Sequence, residues 1–305
     1  MLSFRPITPA DKDLITAFTL KGDRRNCDLA FANLCSWRFL YHTRFAIHDD
    51  FLFFKFDAGR QPAYMMPVGE GDFARAVESI VADARACGHT FCMLGLCSYA
   101  RERLEAGLPG RFQFSAERDY ADYIYLRTDL ASLQGKKFQA KRNHINRFLN
   151  TYADYEYVEL RPHHIAECLE LEARWFALNN GDQGEDTANE RTAMTYALQH
   201  FDALGLRGGL LRVNGQTVAF TFGSPINHDT FGIHVEKADV HIDGAYAVIN
   251  REFAARIPEQ YTYLNREEDL GIEGLRKAKL SYHPVMLLEK HIACLADQPM
   301  EELRW

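Results

Sequence analysis

Tyr263 to Pro284 reads YLNREEDLGIEGLRKAKLSYHP. It joins a strand (residues 261–264) to a dense polar motif, Asn265-Arg266-Glu267-Glu268-Asp269. Gly271 permits a turn, Glu273–Lys279 reads as a basic helix, and Ser281–His283 is strand-like before Pro284. In α/β sheets the crevice beyond a strand's C-terminal end is where ligands bind. If the extended backbone persists, Glu267 and Asp269 share one side and Glu268 faces the other. A carboxylate so placed can deprotonate an attacking amine or hydroxyl, which makes Glu267 and Asp269 the candidate catalytic residues. The same three acids can instead pair with Arg266, Arg276, Lys277 or Lys279, and structural ion pairs are common. Asn265, Arg266, Tyr282 and the upstream His234 are expected to line the cleft.

Working outward, the preceding segments read strand, hairpin, strand, helix. Residues 208–213, 216–223 and 230–236 have strand character, with the hairpin signal Asn214-Gly215 between the first two. A helix over about 244–256 leads into the strand at 261. Before them come a strand at 155–161 and helices over 163–178 and 191–204. The first half repeats this order. A strand at 2–5 precedes a helix started by Thr8 and Pro9. Strands follow at 45–48, 51–56 and 63–68, with Asp49-Asp50 as a turn. A helix over 72–87 closes at Gly88, followed by strands at 91–94 and 120–126 around a short helix at 99–106. The repeated order predicts an α/β protein of mixed sheets in two related lobes. The expected divisions are 1–128, a connecting helix at 129–153, and 154–305.

That connecting segment opposes the sign of the whole. The 305 residues carry a formal net charge of -7, yet Leu130 to Ala153 contains no acidic residue. Phe138, Ile145, Leu149 and Tyr152 share one helical face, and Lys137, Lys141 and His144 another. Such a face is either simply solvated or an anion site for the phosphates of a donor. Lys137, Lys141, Arg142 and Asn143, with Lys277 and Lys279, are the candidate donor-binding residues. Arg142 lies beside the apolar stripe, so a fixed partner is expected, a carboxylate of the acidic motif.

Composition excludes several classes. An acidic chain is a poor match for duplex DNA. Seven cysteines without a secretory segment fit reduced thiols in the cytoplasm. Cys87, Cys92 and Cys97 are spaced unlike zinc ligands, so no metal site is expected. No run reaches the length of a membrane span, and no nucleotide-binding loop or nucleophile elbow occurs.

Three segments, KKFQAKRNHINRF, HVEKADVHIDGAYAVINREFA and the opening one, together resemble bacterial proteins that share the C-terminal domain of phosphatidylglycerol lysyltransferase. The resemblance runs from about Tyr120 onward. It implies two tandem acyl-CoA N-acyltransferase (GNAT)-like lobes, related to Fem-type aminoacyl and peptidyl transferases. It also implies transfer of an acyl or aminoacyl group, from acyl-CoA or aminoacyl-tRNA, to an amine, hydroxyl or lipid-head-group acceptor, with no resident cofactor required. The stretch Lys237–Ala247 does not match the pyrophosphate loop usual in acetyltransferases. The alternatives are a non-catalytic ligand-sensing or interaction module on the same fold and a tRNA-binding factor without catalysis.

Overall fold

The computed structural model describes residues 2–59, 61–178 and 184–298. In chain order the first half contains β1 (Arg5–Pro6), α1 (Lys12–Thr19), α2 (Phe31–Ser36), α3 (Arg38–Tyr41), β2 (Arg44–His48), β3 (Phe51–Ala58), β4 (Gln61–Met65), β5 (Val68–Gly69), α4 (Phe73–Cys87), β6 (Cys92–Leu96), α5 (Ser98–Gly107) and β7 (Phe112–Ala116). It continues with β8 (Asp122–Leu126), α6 (Arg127–Ser132), α7 (Gln139–Thr151), β9 (Glu156–Glu159), α8 (Ile165–Leu178), α9 (Glu185–Gln199), β10 (Arg207–Val213), β11 (Gln216–Pro225) and β12 (Thr230–Ala238). The last elements are α10 (Ala245–Arg256), β13 (Tyr263–Asn265), α11 (Glu273–Leu280), β14 (Met286–Leu288) and β15 (His291–Leu295).

Local chemistry sets many of these boundaries. Thr8 donates from its backbone N–H and its hydroxyl to Asp11, closing the turn that opens α1. Asp72 accepts from the Arg75 N–H at the start of α4, and Gly88, at φ 73°, ends that helix. Asp49 and Asp50 (φ 46° and 61°) and Asn214 and Gly215 (φ 50° and 75°) make the two-residue hairpin turns.

Two mixed sheets result. One runs β1-β2-β3-β4-β6-β15-β7, with β5 against β3; the other runs β14-β8-β13-β12-β11-β10-β9. Alternation along β3 divides its side chains: Phe51 and Phe53 join the core under α4, while Leu52 and Phe54 face the other way. That second face meets Leu210, Phe220 and Phe222 of the second sheet through α2, α8 and α9. Helices α6, α7 and α10 cover the far side of the second sheet, where Phe138, Ile145 and Phe148 are buried.

The assignment of strands to sheets departs from expectation. The strand near 120–126 forms, but as β8 it pairs with β13 and β14 in the second sheet. The C-terminal β15 returns to the first sheet between β6 and β7. The sheets therefore exchange strands across the divisions drawn at 128 and 154, and the basic helix packs into the second core. Strand pairing is long-range, so local pattern cannot assign it. Two smaller corrections follow. Residues 281–283 form a turn, with the strand at Met286–Leu288, and the helix expected at 191–204 spans Glu185–Gln199.

Each sheet contains a parallel pair that parts. In the first, β4 and β6 are paired at Tyr64–Met93 and Met65–Leu94. In the second, β12 and β13 are paired from Thr230–Tyr263 to Gly232–Asn265. The polar motif begins where this second pair opens.

Candidate active site

The two openings differ in what fills them. In the first sheet Arg24 donates to the carbonyls of Met66 (2.9 Å) and Pro67 (2.5 Å), and the Asn26 amide to that of Gly95 (2.8 Å). Side chains from the α1–α2 connection thus tie the edges of that opening together. In the second sheet the edges are bridged by ionisable groups. Opposite Phe222 and Gly223 the register of β12 skips from Val235 to Ile233, so His234 is the extra residue of a bulge. Bulges redirect side chains in this way. His234 Nδ1 reaches Glu267 Oε1 across the opening at 2.8 Å, and its Nε2 lies 2.7 Å from the Ser224 hydroxyl.

Glu267 is held unusually. Its φ of 58° is left-handed, uncommon for a non-glycine residue. The Asn265 side chain stabilises the turn by accepting the Glu267 N–H at 2.7 Å. This turn ends the extended backbone, so the expected alternation of Glu267, Glu268 and Asp269 does not occur. Besides His234, Asn33 of α2 donates to Glu267 Oε1 at 2.7 Å. Oε2 has no hydrogen bond among the described residues, and the side chain is 23% exposed. One oxygen is anchored and the other is available.

The next two acids differ sharply. Asp269 is fully buried. It accepts from Arg276 at 2.8 and 2.9 Å, from Arg118 at 3.2 Å, from the Tyr123 hydroxyl at 2.5 Å and from the Gly271 N–H at 2.9 Å. Burial alone would raise its pKa, but the Arg276 and Tyr123 hydrogen bonds outweigh it and hold the carboxyl well below the usual range. The expected catalytic role for Asp269 gives way to a structural one, because no lone pair faces open space.

Glu268 turns toward a cluster that local sequence pattern does not reveal. The Lys290 ammonium, 2% exposed, lies 2.8 Å from Asp122, 3.0 Å from Asp28 and 3.6 Å from Glu268. Cys27 Sγ sits among them, 3.3 Å from Lys290 Nζ and 3.2 Å from Glu268. Burial would raise Glu268, but Lys290 and Lys279 bring it down to about 2. Burial pushes Asp122 up to about 7 despite Lys290, with Glu268 and Asp28 adding to the rise. Three acids thus share one ammonium, and burial with their mutual repulsion raises both Asp122 and Asp28 while Lys290 opposes the rise. Cys27, Asp122 and Glu268 bring three possible metal-ligand atoms within 4.8 Å of one another. The adjacent Lys290 ammonium already supplies positive charge there. Asp83, Cys87 and His89 form a second such group, but Asp83 Oδ2 already accepts from Lys55 and Tyr64.

The basic residues divide as well. Arg142 meets no carboxylate of the motif; it donates to the carbonyls of Leu133 (2.5 Å) and Gly135 (2.7 Å). Leu133 ends α6 at φ 49°, leaving carbonyls that need donors. Lys137 pairs with Asp129 at 2.8 Å. Lys279 is buried and donates to the carbonyls of Arg266 and Glu268. Asn143 is exposed and accepts from Gln139, and Lys277 is exposed without an ion pair among the described residues. Lys141 packs on an aromatic ring. Its ammonium lies 3.9 Å from the Tyr282 ring centroid, and Arg266 stacks on that ring at 4.9 Å. Burial, with help from Arg266, lowers Lys141 to about 8. Arg266 pairs with Glu236 at 2.9 Å, while Asn265 donates to Asp122 and to the Arg25 carbonyl. His234, Asn265, Arg266 and Tyr282 thus support the opening from largely buried positions and do not line open space.

No helix among the described residues is long and apolar enough to cross a membrane. A conserved protein of unknown function from Bacteroides thetaiotaomicron has a crystal structure 68% identical in sequence, with a TM-score of 0.95, covering 97% of this chain and 100% of its own. The structure of L-PGS from Bacillus licheniformis is similar in fold at 15% identity, with a TM-score of 0.67 over 96% of this chain and 93% of its own. An uncharacterized protein of Mycoplasmoides gallisepticum is 20% identical over 176 residues, a match that spans about half of that relative's length (55%). The family model described as phosphatidylglycerol lysyltransferase, C-terminal, matches residues 21–294. The chain therefore belongs to the phosphatidylglycerol lysyltransferase C-terminal family.

Proposed function

We propose that this chain is an acyl- or aminoacyl-transferase that moves its group from a phosphate-bearing donor, aminoacyl-tRNA or acyl-CoA, to an amine or hydroxyl acceptor. The observation that carries the proposal is Glu267, whose Oε1 is fixed by Asn33 and His234 while Oε2 remains free at the strand opening. Oε2 takes the proton as the acceptor's nitrogen or oxygen attacks the donor's ester or thioester carbonyl. The leaving hydroxyl or thiol recovers a proton as the carbonyl re-forms. Ser224 and His234 act as positioning residues, keeping the Glu267 carboxylate from rotating. The donor is a substrate, so the reading needs no resident cofactor.

On the donor side, Lys141 meets a phosphate, with Lys277 and Asn143 as outlying contacts.

The test is single-turnover transfer from a panel of charged tRNAs and acyl-CoAs, read by mass spectrometry of the acceptor. Glu267→Gln is expected to slow transfer by about 100- to 10,000-fold while leaving the unfolding midpoint close to that of the parent. A parent protein that turns over no donor, or a Glu267→Gln variant with unchanged rate, would overturn the assignment.

A further inference from the structure

Thirteen large hydrophobic side chains are exposed among the described residues, and seven of them lie between Leu270 and Leu287. Leu270 and Ile272, each more than half exposed, precede α11; Leu275 and Leu280 lie on it. Val285, Met286 and Leu287 continue the surface into β14. Backbone bonds pin both ends to one side of the second sheet: the Leu270 N–H donates to Asp119 and the Val285 N–H to Ile124. Such a concentration of exposed apolar side chains in one stretch of the chain marks a contact surface.

The backbone narrows the choice of partner. β14 is the terminal strand of its sheet, paired only with β8. Its outer N–H and C=O groups are therefore open, and Val285 to Leu288 carries no charge to guard the edge. A bilayer would cover the side chains but leave those backbone groups unsatisfied in hydrocarbon. Another strand satisfies both. The charges narrow it further. Glu273 and Lys277 lie one turn apart on α11, are exposed, and make no ion pair among the described residues. Two α11 helices running antiparallel about a two-fold axis bring Glu273 of each toward Lys277 of the other. The face is self-complementary in charge, as an isologous contact requires.

We propose that β14 and α11 form the interface of a homodimer, with β14 antiparallel to its counterpart and the second sheet continuous across the two-fold. Analytical ultracentrifugation of the full chain across the micromolar range tests this, and the expected result is a reversible dimer. Met286→Lys, at an exposed position, is expected to give a folded monomer by circular dichroism. Glu273→Lys and Lys277→Glu are each expected to weaken association by about tenfold, and combining them to restore it. A parent protein that stays monomeric throughout, or a dimer indifferent to all these substitutions, would overturn the proposal. Met286-dependent binding of the monomer to phosphatidylglycerol vesicles would also overturn it, in favour of a bilayer partner.

Discussion

Glu267 and Asp269 lie two residues apart and have opposite environments. Glu267 keeps an oxygen free; Asp269 uses both oxygens on Arg276 and is shut away from solvent. Removing the charge at Asp269 strands two guanidinium groups, Arg276 and Arg118, that remain partly exposed. Asp269→Asn should therefore cost about 3 kcal/mol, the lower end for breaking a buried pair. The pH dependence has a definite sign. A carboxyl held below its unfolded value of roughly 4 contributes full stability above that pH. The contribution is lost as pH falls toward the folded value. Urea unfolding should show the widest gap between the parent and Asp269→Asn near neutrality, shrinking below about pH 4. A gap that widened on acidification would contradict the ion-pair account.

At the scale of elements, the basic helix α7 is two devices on one framework. Arg142 satisfies carbonyls at the end of α6, so Arg142→Gln should cost about 1–3 kcal/mol of stability and leave donor affinity nearly unchanged. Lys141 is expected to behave the other way. Its ammonium is lost as pH rises through about 8, so donor affinity in direct binding assays should fall over that range. Lys141→Arg should flatten the profile, because a guanidinium stays charged. Sequence periodicity revealed the amphipathic helix and both hairpins because those signals are local. It misassigned Arg142's partner, because whether a cation meets a carboxylate or a set of carbonyls depends on how α6 ends. Asn33, Ser224, Cys27, Asp122 and Lys290 were not legible at all. They come from five separated parts of the chain once Glu267 is included, and no spacing in sequence records that they meet.

Over the whole molecule, the two lobes are related in architecture but not independent in construction. The second sheet contains β8 between β13 and β14, and the first sheet holds β15 between β6 and β7. Neither sheet is complete without a strand from across the divisions expected at 128 and 154. Between them Phe45, Leu52 and Phe54 meet Leu210, Phe220 and Phe222 in a single core. The Lys290 cluster adds a polar tie, because Asp28 precedes α2, Asp122 begins β8 and Lys290 leads into β15. Strand exchange and a shared core make partial unfolding costly, since releasing one lobe opens an edge and a hydrophobic face on the other. The chain should therefore unfold in one cooperative transition despite its length. Phe222→Ala, at a site 1% exposed, should lower stability by about 3–5 kcal/mol. Tryptophan fluorescence and far-ultraviolet circular dichroism should report the same shifted urea midpoint. Two separate transitions, with Phe222→Ala moving only one, would show that the lobes fold independently and that the exchanged strands do not couple them.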